Sequence, residues 1–172
     1  MIKRLRSKSG MTLVEMLAAV MIMALLAAGM STGMTSGLRV YQEAGFESDS
    51  ALLASNINTM MTDILRYSTD CKTEEGNILV TNLDYGLRDV YFKNDGGYLY
   101  ICFWSRNGTT HPSAKALVNT GAYGTLRISN DFQYTYKTDN RGGYYEINYT
   151  ITNSADTNKT RAVQAVVRQM SR

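Results

Sequence analysis

The feature that most restricts this chain is the stretch Met11–Met30, MTLVEMLAAVMIMALLAAGM, twenty residues with a single charge, Glu15. As a helix it spans about 30 Å, the thickness of a bilayer core. It follows a segment carrying Lys3, Arg4, Arg6 and Lys8 and no acid. Such a basic flank is retained on the cytoplasmic side, so the remainder is expected to face outward. No Pro interrupts residues 11–67. If the stretch is one helix it runs for about 85 Å, too long to be buried within its own domain. A carboxylate inside an apolar span is costly, which marks Glu15 as a functional residue.

Residues 31–67 read as a more polar continuation. Leu53, Ile57, Met60, Met61, Ile64 and Leu65 recur at helical spacing and make one apolar stripe. Gly29, Gly33 and Gly37 lie on one face. They either soften the helix, at about 1 kcal/mol each relative to Ala, or admit a close helix contact. Ser31, Thr32, Thr35 and Ser36 are further weak helix formers and favour softness.

From about Asn77 the period becomes two. Tyr145, Ile147, Tyr149 and Ile151 alternate with polar residues, as do Phe132, Tyr134 and Tyr136, which predicts half-buried strands. Tyr98–Trp104 is apolar on both faces and reads as a central strand, and Arg161–Arg168 as the last one. Turn signals at Asn94-Asp95-Gly96-Gly97, Arg106-Asn107-Gly108-Thr109 and Asn140-Arg141-Gly142-Gly143 imply antiparallel pairing.

The stretch Lys8-Ser9-Gly10-Met11-Thr12-Leu13-Val14-Glu15, running straight into the apolar span, resembles the processing site of type IV prepilins and pseudopilins. The resemblance implies cleavage between Gly10 and Met11 by a prepilin peptidase and N-methylation of Met11 by the same enzyme. It also gives Glu15 the register of the assembly carboxylate, pairing with the new amine of a neighbouring subunit. Met11 stands where the family usually has Phe. The implied fold is α+β and pilin-like, a long N-terminal helix whose C-terminal half packs on an antiparallel sheet of about four to seven strands. The expected organisation is a leader over 1–10, a transmembrane and filament-core helix over 11–30, an amphipathic helix over 31–68 and a globular sheet domain over 69–172. The partners implied are the peptidase-methylase, other pilin subunits and, before assembly, the inner membrane with the N-terminus cytoplasmic. The surface or an extracellular filament is the final location. A conventional secretory signal or an uncleaved anchor leaves the Thr-Leu-Val-Glu register unexplained.

The function expected is structural, a minor pilin or pilin-like subunit, with no enzymatic activity and no cofactor. The alternatives are a ligand- or DNA-binding tip pilin and a pseudopilin of a secretion piston. Without residues 1–10 the chain has 14 basic and 15 acidic residues, so it lacks the broad basic footprint of a nucleic-acid binder. Ten of the twelve tyrosines lie beyond residue 80. They are expected in the sheet core, the other reading being an exposed stacking ladder for glycan or single-stranded DNA. His111 is the one histidine and cannot build a His-rich metal site. Asp139-Asn140-Arg141-Gly142 lacks the spaced acids of a calcium loop, so no metal is expected. No nucleophile motif surrounds any serine. The sequons at Asn107, Asn148 and Asn158 read as coincidence beside such a leader. Cys71 and Cys102 permit one disulfide in an exported chain, or else two separate buried thiols.

Overall fold

The computed structural model describes residues 12–104 and 114–170. The expectations at Gly10, Met11, Arg106–Thr109 and His111 lie outside the described residues. The chain divides into two compact units, Met1–Ala44 and Gly45–Arg172.

One helix, α1, runs Leu13–Arg66, nearly the full length of the Pro-free stretch 11–67. Its side chains within the first unit are almost all exposed, including Val14, Met21, Leu25, Met30 and Met34. The helical glycines at 29, 33 and 37 have open space where a Cβ would stand. Around them Thr32 Oγ1 donates to Ala28 O (2.7 Å) and Thr35 Oγ1 to Ser31 O (3.1 Å). These bonds satisfy hydroxyls but compete with the helix ladder and loosen it.

The second unit begins where burial begins. Phe46, Ser50, Leu53, Ala54, Ile57, Met61, Ile64 and Leu65 are buried along α1. Their spacing of three and four residues makes a single stripe. The sequence-based stripe is corrected at Met60, which is 48% exposed, and is extended upward to Phe46.

The strands are β1 (Asp70–Glu74), β2 (Asn77–Asn82), β3 (Leu87–Asp95), β4 (Tyr98–Phe103), β5 (Lys115–Ala116), β6 (Leu126–Ile128), β7 (Gln133–Asp139), β8 (Gly142–Asn153) and β9 (Thr160–Arg168). A short 3-10 turn, Thr120–Tyr123, precedes β6. All pairings are antiparallel. The single sheet of four to seven strands is corrected to two sheets. The first has the order β1-β2-β3-β4-β5; the second has β6 and β7 along one side of β8 and β9 along the other. Strand β1 escaped the sequence reading because it is an edge strand exposed on most of its length and so has no alternation. The predicted central strand, β4, is bordered on one side by the two-residue β5, and most of its residues are only half-buried.

The β3–β4 hairpin turns on Gly96 and Gly97, both at positive φ (59° and 84°). A Cβ at Gly97 would come within 2.8 Å of the Arg127 side chain, so this position needs glycine for the turn and for the close approach. That approach lets Ile128 N–H donate to Gly97 O (2.9 Å), while Asn94 Nδ2 donates to Ser129 O (2.8 Å), joining the two sheets. The stripe of α1 and the inner faces of both sheets share one hydrophobic cluster containing Ile57, Met61, Val80, Phe92, Leu99, Ile128, Tyr145, Ile147 and Tyr149.

The tyrosines make this cluster polar at its joints. Among the ten beyond residue 80, Tyr85 is exposed, five are half-buried and four are buried, so most of the rings serve the core and not an exposed stacking ladder. Tyr149 Oη donates to Asn58 Oδ1 (3.0 Å) on α1, and Tyr145 Oη bonds Ser68 Oγ (3.0 Å). Tyr134 has a more specific task. It accepts from Phe92 N–H (3.2 Å) and donates to Ile78 O (2.5 Å). Those backbone groups belong to β3 and β2, beside the point where their register pairs Val80 with Val90. The hydroxyl thus takes the place of a ladder bond and bridges the two strands from β7 in the other sheet. Burial pushes the Tyr134, Tyr145 and Tyr149 hydroxyls well above the usual tyrosine range.

The disulfide expectation is corrected. Cys71 and Cys102 are free, on β1 and β4, with β2 and β3 between them. Three strand spacings put them about 14 Å apart, and a bridge requires Cα atoms within roughly 7 Å. Their faces also differ. Cys71 opposes Val80, Val80 opposes Val90, and Val90 opposes Phe103, so Cys102, next to Phe103, points to the other side of the sheet. Burial pushes both thiols up, which favours the protonated form.

Candidate functional site

The helix begins at the residues that the sequence singled out. Thr12 precedes Leu13, the first residue of α1, and Glu15 stands in the first turn. The Glu15 carboxylate reaches back over that turn. Thr12 N–H donates to Glu15 Oε2 (2.9 Å), as does Thr12 Oγ1 (3.1 Å), and Glu15 N–H donates to Thr12 Oγ1 (3.3 Å). This is the reciprocal arrangement of a capping box, in which a Thr and a Glu three residues later satisfy each other's backbone donors. The Thr-x-x-Glu spacing is readable in the sequence, where Glu15 stands out as a charge in an apolar run and, by the resemblance, as the assembly carboxylate, but not as a helix cap. The structure adds that the same carboxylate fixes where the helix starts.

Both donors converge on one oxygen. Among the described residues Glu15 Oε1 takes no hydrogen bond. A carboxylate with a free oxygen, beside a helix N-terminus whose dipole favours negative charge, is placed to accept from a cation. Around it the surface is apolar: Leu13, Val14, Met16 and Leu17 are each more than half exposed. The apolar part of α1 is long and apolar enough to cross a membrane, and none of it is buried within the chain. An exposed apolar surface of this length is the kind that lipid or other chains cover.

Residues 5–31 match the family model for the prokaryotic N-terminal methylation motif. The chain carries the type IV prepilin signature. The motif supports a pilin- or pseudopilin-like precursor. The chain has an α+β, pilin-like architecture of one long N-terminal helix followed by antiparallel sheets, and its apolar helix fits a membrane-anchored form that precedes assembly. The signature implies processing by a prepilin peptidase and assembly with other pilins. No curated protein and no solved structure matches the chain.

The remaining candidates resolve on the geometry. Asp139 is engaged by Arg168, through Nη2 to Oδ2 (2.7 Å) and Nη1 to Oδ1 (3.1 Å), and by Arg141 N–H (2.8 Å). The segment with the faint look of a calcium loop is the tip of the β7–β8 hairpin, with its acid pinned by a cation. Among the described residues no group of three or more His, Cys, Asp or Glu side chains is placed to hold a metal ion.

Proposed function

We propose that the protein is a structural subunit of an extracellular type IV filament, a minor pilin or pilin-like protein, processed between Gly10 and Met11 and methylated on Met11. The observation that carries the reading is the methylation motif at residues 5–31, running into a helix whose apolar surface has no cover among the described residues. In this reading residues 1–10 are the leader, 11–30 the membrane and filament-core helix, 31–68 the amphipathic continuation and 69–172 the sheet domain. The N-terminus starts in the cytoplasm and the sheet domain outside. Before assembly lipid covers the apolar span; afterwards neighbouring helices do. Glu15 then offers Oε1 to the Met11 amine of a neighbour. An α-amino group titrates near pH 8, so the pair is ionic at neutral pH. In a dry bundle of helices an unpaired charge is heavily penalised, and the pair therefore selects one axial register. The inward tyrosines favour a structural role over ligand stacking.

The test is N-terminal mass spectrometry of material sheared from the cell surface. The expected chain starts at Met11 and carries an N-methyl group. A chain starting near Ser31 would mean ordinary signal cleavage and would overturn the proposal.

A further inference from the structure

A helix leaves its last four carbonyls without intrahelical partners, and many helices end on a glycine that folds the chain back to satisfy them. Here α1 ends Arg66-Tyr67-Ser68-Thr69, with no glycine. Its carbonyls are nevertheless all taken, mostly by distant parts of the chain. Asn82 Nδ2, at the end of β2, donates to Ile64 O (2.8 Å) and, at longer range, to Asp63 O (3.4 Å). Ser68 N–H (3.3 Å) and Oγ (2.8 Å) donate to Leu65 O. Met170 N–H, just past β9, donates to Arg66 O (2.8 Å).

The donors are themselves fixed. Asn82 is fully buried, and its Oδ1 accepts from Asp84 N–H (3.1 Å) and Tyr85 N–H (3.3 Å) in the turn before β3. Gln169 donates through Nε2 to Ser68 O (2.7 Å) and through its N–H to Gly143 O (3.0 Å), and accepts from Tyr136 Oη (3.2 Å). The buried Asn82 carboxamide uses both ends and is costly to leave unpaired, so each of its bonds holds the others in place.

We propose that Asn82, from the first sheet, and the Gln169–Met170 segment, after the last strand of the second, form a lock on the final turn of α1. The helix end is held by both sheets at once, and the chain beyond β9 is part of the joint. On the filament reading, on which only this consequence rests, a pull transmitted along α1 reaches both sheets together instead of unwinding the last turn.

The lock is tested by amide hydrogen exchange on the full chain in detergent micelles, with Asn82→Leu, Gln169→Ala and Met170→Pro, the last removing a single backbone donor at an exposed position. The expected result is exchange about tenfold faster or more at residues 62–68 in each variant, with β8 amides as protected as in the parent. Unchanged exchange at 62–68 in Met170→Pro and Gln169→Ala overturns the lock. If Asn82→Leu does not fold, those two variants decide it. The measurement needs no filaments, so a chain that never enters a filament still tests the lock, while failure of the lock leaves the filament reading intact.

Discussion

The two stretches of α1 differ in what covers them. Between Leu13 and Ala44 the apolar residues are exposed, among them Leu17, Met23 and Leu26. Between Gly45 and Arg66 the same kind of residue is buried in one stripe, with Ile57, Met61 and Leu65 at 0% exposure. Hydrophobicity alone would rank the first stretch as the more buried. The ranking is reversed because burial is set by available partners, and the first stretch is exposed among the described residues. Its apolar surface is an interface awaiting lipid or neighbours; the second is a core already formed.

The sharpest way to break this comparison is Glu15→Ala. The expected outcome is loss of incorporation into filaments when the variant is expressed beside the parent, with membrane insertion retained or improved, since a charge leaves the apolar span. Fractionation of sheared filaments and membranes measures both. Normal incorporation would remove Glu15 from the assembly contact.

Next in size is a matched pair of truncations. Ile57→Ala should destabilise the second unit by about 2–5 kcal/mol, the range for deleting a fully buried aliphatic side chain. Val20→Ala, at 64% exposure, should leave its thermal midpoint in detergent unchanged. Equal shifts would mean that both stretches are core. Met60→Ala belongs with Val20→Ala, although the sequence pattern grouped Met60 with Ile57.

Alkaline pH separates the units through the buried tyrosines. The folded-state values of Tyr134, Tyr145 and Tyr149 are raised by burial, while the unfolded chain titrates near 10. Below pH 10 both states hold the proton and the stability is fully present. Above it the unfolded state loses protons that the folded state keeps, so stability falls as pH rises, by up to about 1.4 kcal/mol per unit for each group. Near-UV circular dichroism should therefore show cooperative loss of the second unit above pH 10. Far-UV helicity of the first stretch, which holds no tyrosine except Tyr41, should persist longer. Simultaneous loss of both signals would contradict this.

The smallest expected effect is that of Tyr134→Phe. It strands Phe92 N–H and Ile78 O, at about 1–3 kcal/mol for buried unsatisfied groups. Denaturant melts of the variant measure it. A change below about 0.5 kcal/mol would show that the hydroxyl is not a working joint between the sheets.

The helix, its Pro-free length, the hairpin turns at Gly96-Gly97 and Asn140-Arg141, and strands β7, β8 and β9 were legible because each is written in local spacing. So was the processing motif, whose Gly10, Met11 and Glu15 sit in fixed register beside the apolar run. What local spacing does not carry is which strands become neighbours. That decided the split into two sheets, the placing of Cys71 and Cys102 on opposite faces, and the exposure of Met60. It also decided that Asn82 and Met170, unremarkable in the sequence, would close the end of α1. Periodicity is a property of a segment, whereas a hydrogen bond such as Met170 N–H to Arg66 O exists only once distant segments have been brought together.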